Sequence, residues 1–221
     1  CRTTMSTAAP PSSGSPSTSW SDASAGMADG PEALALTGPT ASGKTRLGIA
    51  LAERLGGEII SVDSRQVYRG LDIGTAKATP AERVRVPHHG LDLVEPGERY
   101  SAGRFARDAR RWIGEIRARG RVPLLVGGTG FFLRALTHPL FEEPPMDAAR
   151  RRALAGRLRE LPDGEPLRWL AALDPASARH LREAGGRQRV VRALEVALLT
   201  GRPLGWWHEH RPGPPPLRLR V

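Results

Sequence analysis

From residue 33 onward the chain switches repeatedly between short apolar runs and longer stretches whose apolar residues recur at helical spacing. Ala33-Leu34-Ala35-Leu36-Thr37 is a short apolar run delivered into a Gly-containing turn, and it predicts a buried strand. Leu47, Ala50, Leu51 and Leu55 then recur with the period of a helix, and Gly56-Gly57 predicts its stop. Glu58-Ile59-Ile60-Ser61-Val62 predicts a second strand, ending on Asp63. Residues 65–90 hold no sustained period and include Pro80 and Pro87, so a loop-rich segment is expected there. Tyr100-Ser101 caps a predicted helix over 102–119, with Phe105, Ala109, Trp112, Ile113 and Ile116 on one face and Gly120 closing it. Val122-Pro123-Leu124-Leu125-Val126 predicts a further buried strand, which runs into Gly127-Gly128-Thr129-Gly130. Strands alternating with helices predict an α/β fold, a parallel sheet flanked by helices.

The texture changes after about Leu140. Pro144-Pro145-Met146-Asp147 leads into Arg-rich helical patterns without strands, with Asp147 and Asp174-Pro175 as helix starts. A last helix is expected from Gln188 to about Leu199, stopped at Thr200-Gly201, with Gln188, Arg189 and Arg192 within one turn. Leu217 to Val221 alternates like a strand lacking its continuation, which suggests a fragment. The expected division is therefore a tail over 1–30, a catalytic core over 31–138, a small helical insertion over 139–186 and a return to the core over 187–221. The tail is Ser, Thr, Ala, Pro and Gly with almost no large apolar side chains, too little to offset the entropy of ordering. Met27 stands just ahead of the first strand, so the residues before it are expected to be untranslated or dispensable, a transit peptide being the weaker reading because Arg2 is the segment's one basic residue.

Composition sharpens this picture in two places. The formal net charge is +10, the footprint of a phosphate-rich partner, although Arg-biased coding could supply much of it. Only Lys44 and Lys77 remain as lysines, and both lie in segments of interest. A single cysteine, Cys1, excludes an internal disulfide framework and fits a reducing cytosol. No apolar run approaches membrane-spanning length and no secretory core is visible, so a soluble, cytoplasmic protein is expected.

The chemistry concentrates where the first strand ends. Gly38-Pro39-Thr40-Ala41-Ser42-Gly43-Lys44-Thr45 is G-x-x-x-x-G-K-[ST], flanked by the strand and helix that a phosphate-binding loop requires. Its glycines allow a tight coil whose N–H groups point at an anion, and a compact ammonium fits beside a phosphate where a planar guanidinium would not. Asp63, at the carboxyl end of a neighbouring strand, should lie on the same sheet edge. An Asp in that place can accept a proton or hold Mg²⁺. The strand before Gly127 lacks the Mg²⁺-holding Asp usual in nucleotide hydrolases, while its glycines allow close backbone approach and Thr129 can hydrogen-bond at the edge. His88-His89 has no Cys or third ligand nearby, so a structural role is expected over metal binding.

Gly38–Thr45, Ile60-Ser-Val-Asp-Ser64, Pro87-His-His89, Asp72-Ile-Gly-Thr-Ala-Lys77, Tyr100-Ser101, Leu125-Val-Gly-Gly-Thr129 and Arg192-Ala-Leu-Glu195 together resemble the tRNA dimethylallyltransferases, also called tRNA isopentenyltransferases. The resemblance covers most of residues 33–221. It implies transfer of a dimethylallyl group from its diphosphate to N6 of an adenosine next to the anticodon of tRNA, with release of pyrophosphate. The loop Gly38, Pro39, Thr40, Ala41, Ser42, Gly43, Lys44 and Thr45 would then hold the diphosphate, with Lys44 neutralising it and Thr45 helping to hold Mg²⁺. Asp63 is favoured as the base that relieves the adenine amine of its proton, with Thr129 positioning it or the adenine. Contacts to tRNA carry over onto Asp63, Ser64, Arg65, Gln66, Thr129, Arg151, Gln188, Arg189, Val190, Val191 and Arg192. The target adenosine would have to leave its stack to reach the pocket. The enzyme is expected to be a monomer.

The chain departs from the family pattern at Gly185-Gly186-Arg187, where an Asn-Asp pair is usual, and the family's C-terminal strand, helices and last tRNA-contact segment lie beyond Val221. Three rivals predict other behaviour. A P-loop small-molecule kinase would transfer phosphate from ATP, an adenylate isopentenyltransferase would use a free nucleotide and need no Arg-rich insertion, and a non-catalytic RNA-binding remnant would not need Lys44, Thr45, Asp63 and Thr129.

Overall fold

The computed structural model describes residues 31–138, 140, 144–211 and 213–221; the expected N-terminal tail lies outside them. The strands are β1 (Ala33–Thr37), β2 (Gly57–Ser61), β3 (His88–His89), β4 (Val122–Gly127) and β5 (Leu219–Arg220). They form one sheet in the order β3-β2-β4-β1-β5, and every neighbouring pair is parallel. The helices are α1 (Lys44–Leu55), α2 (Pro80–Arg85), α3 (Ala102–Ala118), α4 (Gly130–Thr137), α5 (Ala148–Glu160), α6 (Glu165–Leu173), α7 (Pro175–Ala184), α8 (Arg187–Thr200) and α9 (Leu204–His210).

A two-residue period divides the sheet between two cores. Ala33 and Ala35 of β1, Ile60 of β2 and Leu125 of β4 join Phe105, Ala109, Ile113 and Ile116 of α3 and Phe132 and Leu136 of α4 in one cluster. Ile59, Leu124 and Val126, with Leu34 and Leu36, pack on the opposite face against Ile49 and Ala52 of α1. The strands are covered on both faces, which is why they read as continuous apolar runs. A third cluster joins Leu158 of α5, Leu170 of α6 and Ala178 of α7 to Val190, Ala193 and Leu194 of α8. The helix Arg187–Thr200 thus shares its core with the three helices before it, and it is Leu217 and β5 that rejoin the sheet.

The apolar face expected for α1 is corrected. Leu47 is 51% exposed and Ala50 is exposed, whereas Gly48, Ile49 and Ala52 are buried. The helix lies so close to β4 that a Cβ on Gly48 would come within 2.9 Å of a Val126 methyl, so a glycine faces the strand, while Leu47 turns outward and Leu51 stays packed at the margin of the core. Three short helices, α2, α4 and α9, were not expected. Helix α2 starts from a capping box in which Thr79 and Glu82 each bond the other's backbone N–H, with Pro80 at the first helical position. Helix α9 follows Pro203, and its Trp207 Nε1–H donates to Thr200 Oγ1 at 3.1 Å. Among the described residues no helix is long and apolar enough to cross a membrane.

At the amino end of the sheet Glu58 is buried, its side chain 5% exposed. It accepts from Arg119 at 2.8 and 3.1 Å and lies 2.7 Å from His89 Nε2. Burial works to raise this carboxyl, but the hydrogen bonds and charge of Arg119 and His89 outweigh it and hold the group below the ordinary glutamate range. A depressed folded value means that the contribution is fully present above about pH 5 and fades as pH falls through the lowered value. Glu58→Gln should therefore be most destabilising at neutral pH, and its urea midpoint should converge on that of the parent in acid. A gap independent of pH would show that the charge is not what matters.

Candidate functional site

The loop from Gly38 to Thr45 joins β1 to α1 and coils through left-handed backbone at Ala41 (φ 64°) and Gly43 (φ 81°). Gly43 is also the N-cap of α1, so no side chain occupies the helix start and no acidic residue stands in its first turn. The free N–H groups and positive helix end make an anion-binding concavity. Lys44 curls into it, its ammonium donating to the Pro39 carbonyl and lying 3.3 Å from Ser42 Oγ.

The carboxylate arm follows β2. Val62 continues the strand by donating its N–H to Val126 O at 2.8 Å, and the chain then turns at Asp63. Asp63 Oδ1 accepts the N–H groups of Arg65 at 2.8 Å and Gln66 at 3.4 Å. Among the described residues Oδ2 has no hydrogen bond, which leaves one carboxylate oxygen for a ligand. Gln66 is held at both ends of its amide, near Ser61 Oγ at 2.7 Å and donating to Thr75 O at 2.9 Å and Ala76 O at 3.3 Å. Thr129 caps α4 without a side-chain bond to that helix, because its hydroxyl instead accepts the Ser64 N–H at 3.0 Å. It thereby ties the end of β4 to the turn that carries Asp63. Gly127 makes the approach possible: a Cβ there would collide with the Val62 carbonyl.

The outer wall is segment 72–78, and Lys77 anchors it. Its side chain is 1% exposed, and its ammonium donates to Asp72 Oδ1 (2.6 Å), Asp92 Oδ1 (2.7 Å) and Tyr68 O (2.8 Å). Arg83 adds a 2.8 Å bond to the other oxygen of Asp92. Burial opposes the ammonium, but its two carboxylate partners outweigh this and raise its pKa, so Lys77 stays charged. Lys77→Met should cost about 2 to 4 kcal/mol, less than for a wholly buried pair because Asp72 keeps much of its water. Urea unfolding checks this, and an unchanged midpoint would remove the anchoring role.

These elements enclose a pocket of about 400 Å³. It brings together Gly38, Pro39, Thr40, Ala41, Lys44, Thr45, Asp63, Ser64, Arg65, Gln66 and Thr129. Ser61, Thr75, Ala76 and His88, which also line it, were not expected as site residues. The Asp72–Lys77 motif was the available signal for Thr75 and Ala76. For His88 it was the Pro87–His89 motif. The His88 Nδ1 lies 2.7 Å from Val86 O, burial lowers the ring's pKa, and its Nε2 is buried with no hydrogen-bond partner among the described residues. Among the described residues no three His, Cys, Asp or Glu side chains converge on a metal position. Mg²⁺ nonetheless suits the donor set, since the oxygens of Thr45, Asp63 and Ser61 line a phosphate pocket and this ion is bound largely through substrate oxygens.

The remaining site candidates lie elsewhere. Gln188, Arg189, Val191 and Arg192 line a larger cavity of about 890 Å³ between the sheet unit and the helical unit. Val190 is buried in the helical core. Arg151 lies on α5 with its Nε 3.0 Å from Glu195 Oε2, which Arg192 also approaches at 3.4 Å. Gly185 and Gly186 form the α7–α8 junction: a Cβ on Gly185 would press on Leu181, and Gly186 caps α8 without a side-chain bond.

Comparison with known proteins identifies the family. The IPP transferase family model matches residues 66–221, and an isopentenyl transferase model matches residues 31–86. The tRNA dimethylallyltransferase of Halorhodospira halophila is 53% identical over 83% of this chain and 59% of its own length. That of Anaeromyxobacter dehalogenans is 56% identical over 73% of this chain and 54% of its own. The chain thus spans a little over half the length of these relatives. A solved eukaryotic dimethylallyltransferase acting on tRNA superposes with a TM-score of 0.66 at 29% identity, covering 85% of this chain and 46% of that one. With a parallel sheet, a phosphate loop and a family model matched along most of its described length, the chain belongs to the IPP transferase family.

Proposed function

We propose that this chain transfers a dimethylallyl group from dimethylallyl diphosphate to N6 of an adenosine in tRNA, releasing diphosphate. One observation carries the reading: the phosphate loop and Asp63 line the same pocket. The allylic C–O bond breaks with its electron pair going to the diphosphate, where charge grows as the loop N–H groups and Lys44 receive it. The N6 lone pair forms the new C–N bond. Asp63 accepts the N6 proton, which matters because the adenine ring withdraws that lone pair and makes the amine a poor nucleophile. Thr129 holds the Asp63 turn in place through Ser64. Thr45 would help to hold Mg²⁺, which when bound would supply further neutralisation of the leaving group. The helical unit, with its arginines, is assigned to the tRNA, and the reaction to the cytoplasm as part of the same proposal.

The names of the relatives and the +10 charge support this reading. It is tested by incubating the purified chain with unmodified tRNA and dimethylallyl diphosphate and digesting the product to nucleosides. One adenosine should gain the mass of the prenyl group. Phosphoryl transfer from ATP without prenyl transfer would instead establish a kinase.

A further inference from the structure

The larger cavity carries an inference that rests on the tRNA reading and adds a residue to it. Its charged lining is six arginines, Arg99, Arg107, Arg159, Arg187, Arg189 and Arg192, against the single carboxylate of Glu195. Glu195 is itself buried and engaged by Arg151 and Arg192, so the field in the cavity is positive. Into this cationic space one aromatic ring projects. Phe131 is 63% exposed, whereas its neighbour Phe132 is buried and stacked on Phe105 at 4.3 Å. Helix α4 already satisfies its core with Phe132, Ala135 and Leu136, so packing does not require an aromatic at position 131. A lone exposed apolar side chain on a convex surface needs no explanation. A flat ring on the wall of an arginine-lined cavity does, because this combination suits single-stranded nucleic acid, with cations for the backbone and a π-face for a base.

Position fits the same occupant. Thr129, the N-cap of α4, lines the small pocket, and Phe131, in the first turn of that helix, lines the large cavity. A strand seated in the cavity therefore crosses the first turn of α4 on the way to Asp63. We infer that Phe131 is a stacking platform for a nucleobase of a single-stranded RNA segment, next to the base that reaches the small pocket.

The test is titration of the purified chain with an unmodified anticodon stem-loop hairpin over a range of KCl concentrations. Phe131→Ala should weaken binding about 5- to 100-fold, with the salt slope unchanged because no cation has been removed. Phe131→Trp should restore affinity, and Phe131→Leu, which keeps bulk without a flat face, should not. A urea midpoint equal to the parent's will show that the exposed site was changed without loss of fold. Unaltered affinity in Phe131→Ala, or full affinity in Phe131→Leu, overturns the inference. If the parent prenylates the hairpin while Phe131→Ala binds it equally well, this inference alone falls. If Phe131-dependent binding is seen without prenyl transfer, the proposed reaction alone falls. A parent chain that does not bind the hairpin overturns both.

Discussion

Replacing Asp63 with asparagine should lower prenyl-transfer turnover by about two to four orders of magnitude while leaving the affinity for dimethylallyl diphosphate nearly unchanged. Asparagine is the informative choice because its carbonyl can still accept from the N–H groups of Arg65 and Gln66, the two bonds that shape this turn. What it cannot do is take a proton, so the loss isolates that step. Alanine would remove both functions and confuse a slackened turn with a missing base. The measurement is kcat against KM for the allylic diphosphate at saturating tRNA. Retained turnover in Asp63→Asn would take proton acceptance away from Asp63. A rise in KM alone would turn it instead into a group that holds the diphosphate, directly or through Mg²⁺.

The second large effect is structural. Gly127→Ala should destabilise the protein by about 3 kcal/mol, because the added methyl meets the Val62 backbone and not a side chain that could rotate away. Val62 is the residue that bonds β4 on both sides of the turn, donating to Val126 O and accepting from the Thr129 N–H at 3.1 Å. Pushing the strands apart would lengthen those bonds and displace the Thr129 hydroxyl from the Asp63 turn. Gly130→Ala is the matched control. Nothing lies within 4 Å of a Cβ there, and the urea midpoint should stay within about 0.5 kcal/mol of the parent. Equal behaviour of the two variants would show that close approach at Gly127 is not required.

The parts of the site that were legible in the sequence are those whose chemistry is local. The phosphate loop, its flanking strand and helix, and the glycines after β4 declare themselves through spacing within a dozen residues. Asp63 could be placed at the sheet edge because an apolar run ended on it. What stayed hidden depends on partners distant in the chain. The face of α1 was misjudged because Gly48 and Ala52 are small for the sake of β4, more than 70 residues away. Lys77 drew notice by surviving in an arginine-rich chain, but its role needed Asp92, fifteen positions on. Arg151 and Glu195, 44 positions apart, meet only because α5 packs on α8. Helix α2 had a legible start in Thr79, Pro80 and Glu82, and its six residues were too few for a period to show.

The pocket joins two kinds of construction. Strands β1, β2 and β4, whose ends form its base, each have a bonded strand on both sides, so those amides should surrender their protons to solvent only when the whole domain opens. The opposite boundary, from Thr75 to Ala78, belongs to no strand of the sheet and is fastened through the amide of Gln66 and the ammonium of Lys77. A ligand would therefore meet backbone held by strand pairing on one side and backbone held by side chains on the other. Under the proposed reaction, accommodation of an allylic chain would fall to that second side and leave the backbone of the Gly38–Thr45 loop in place.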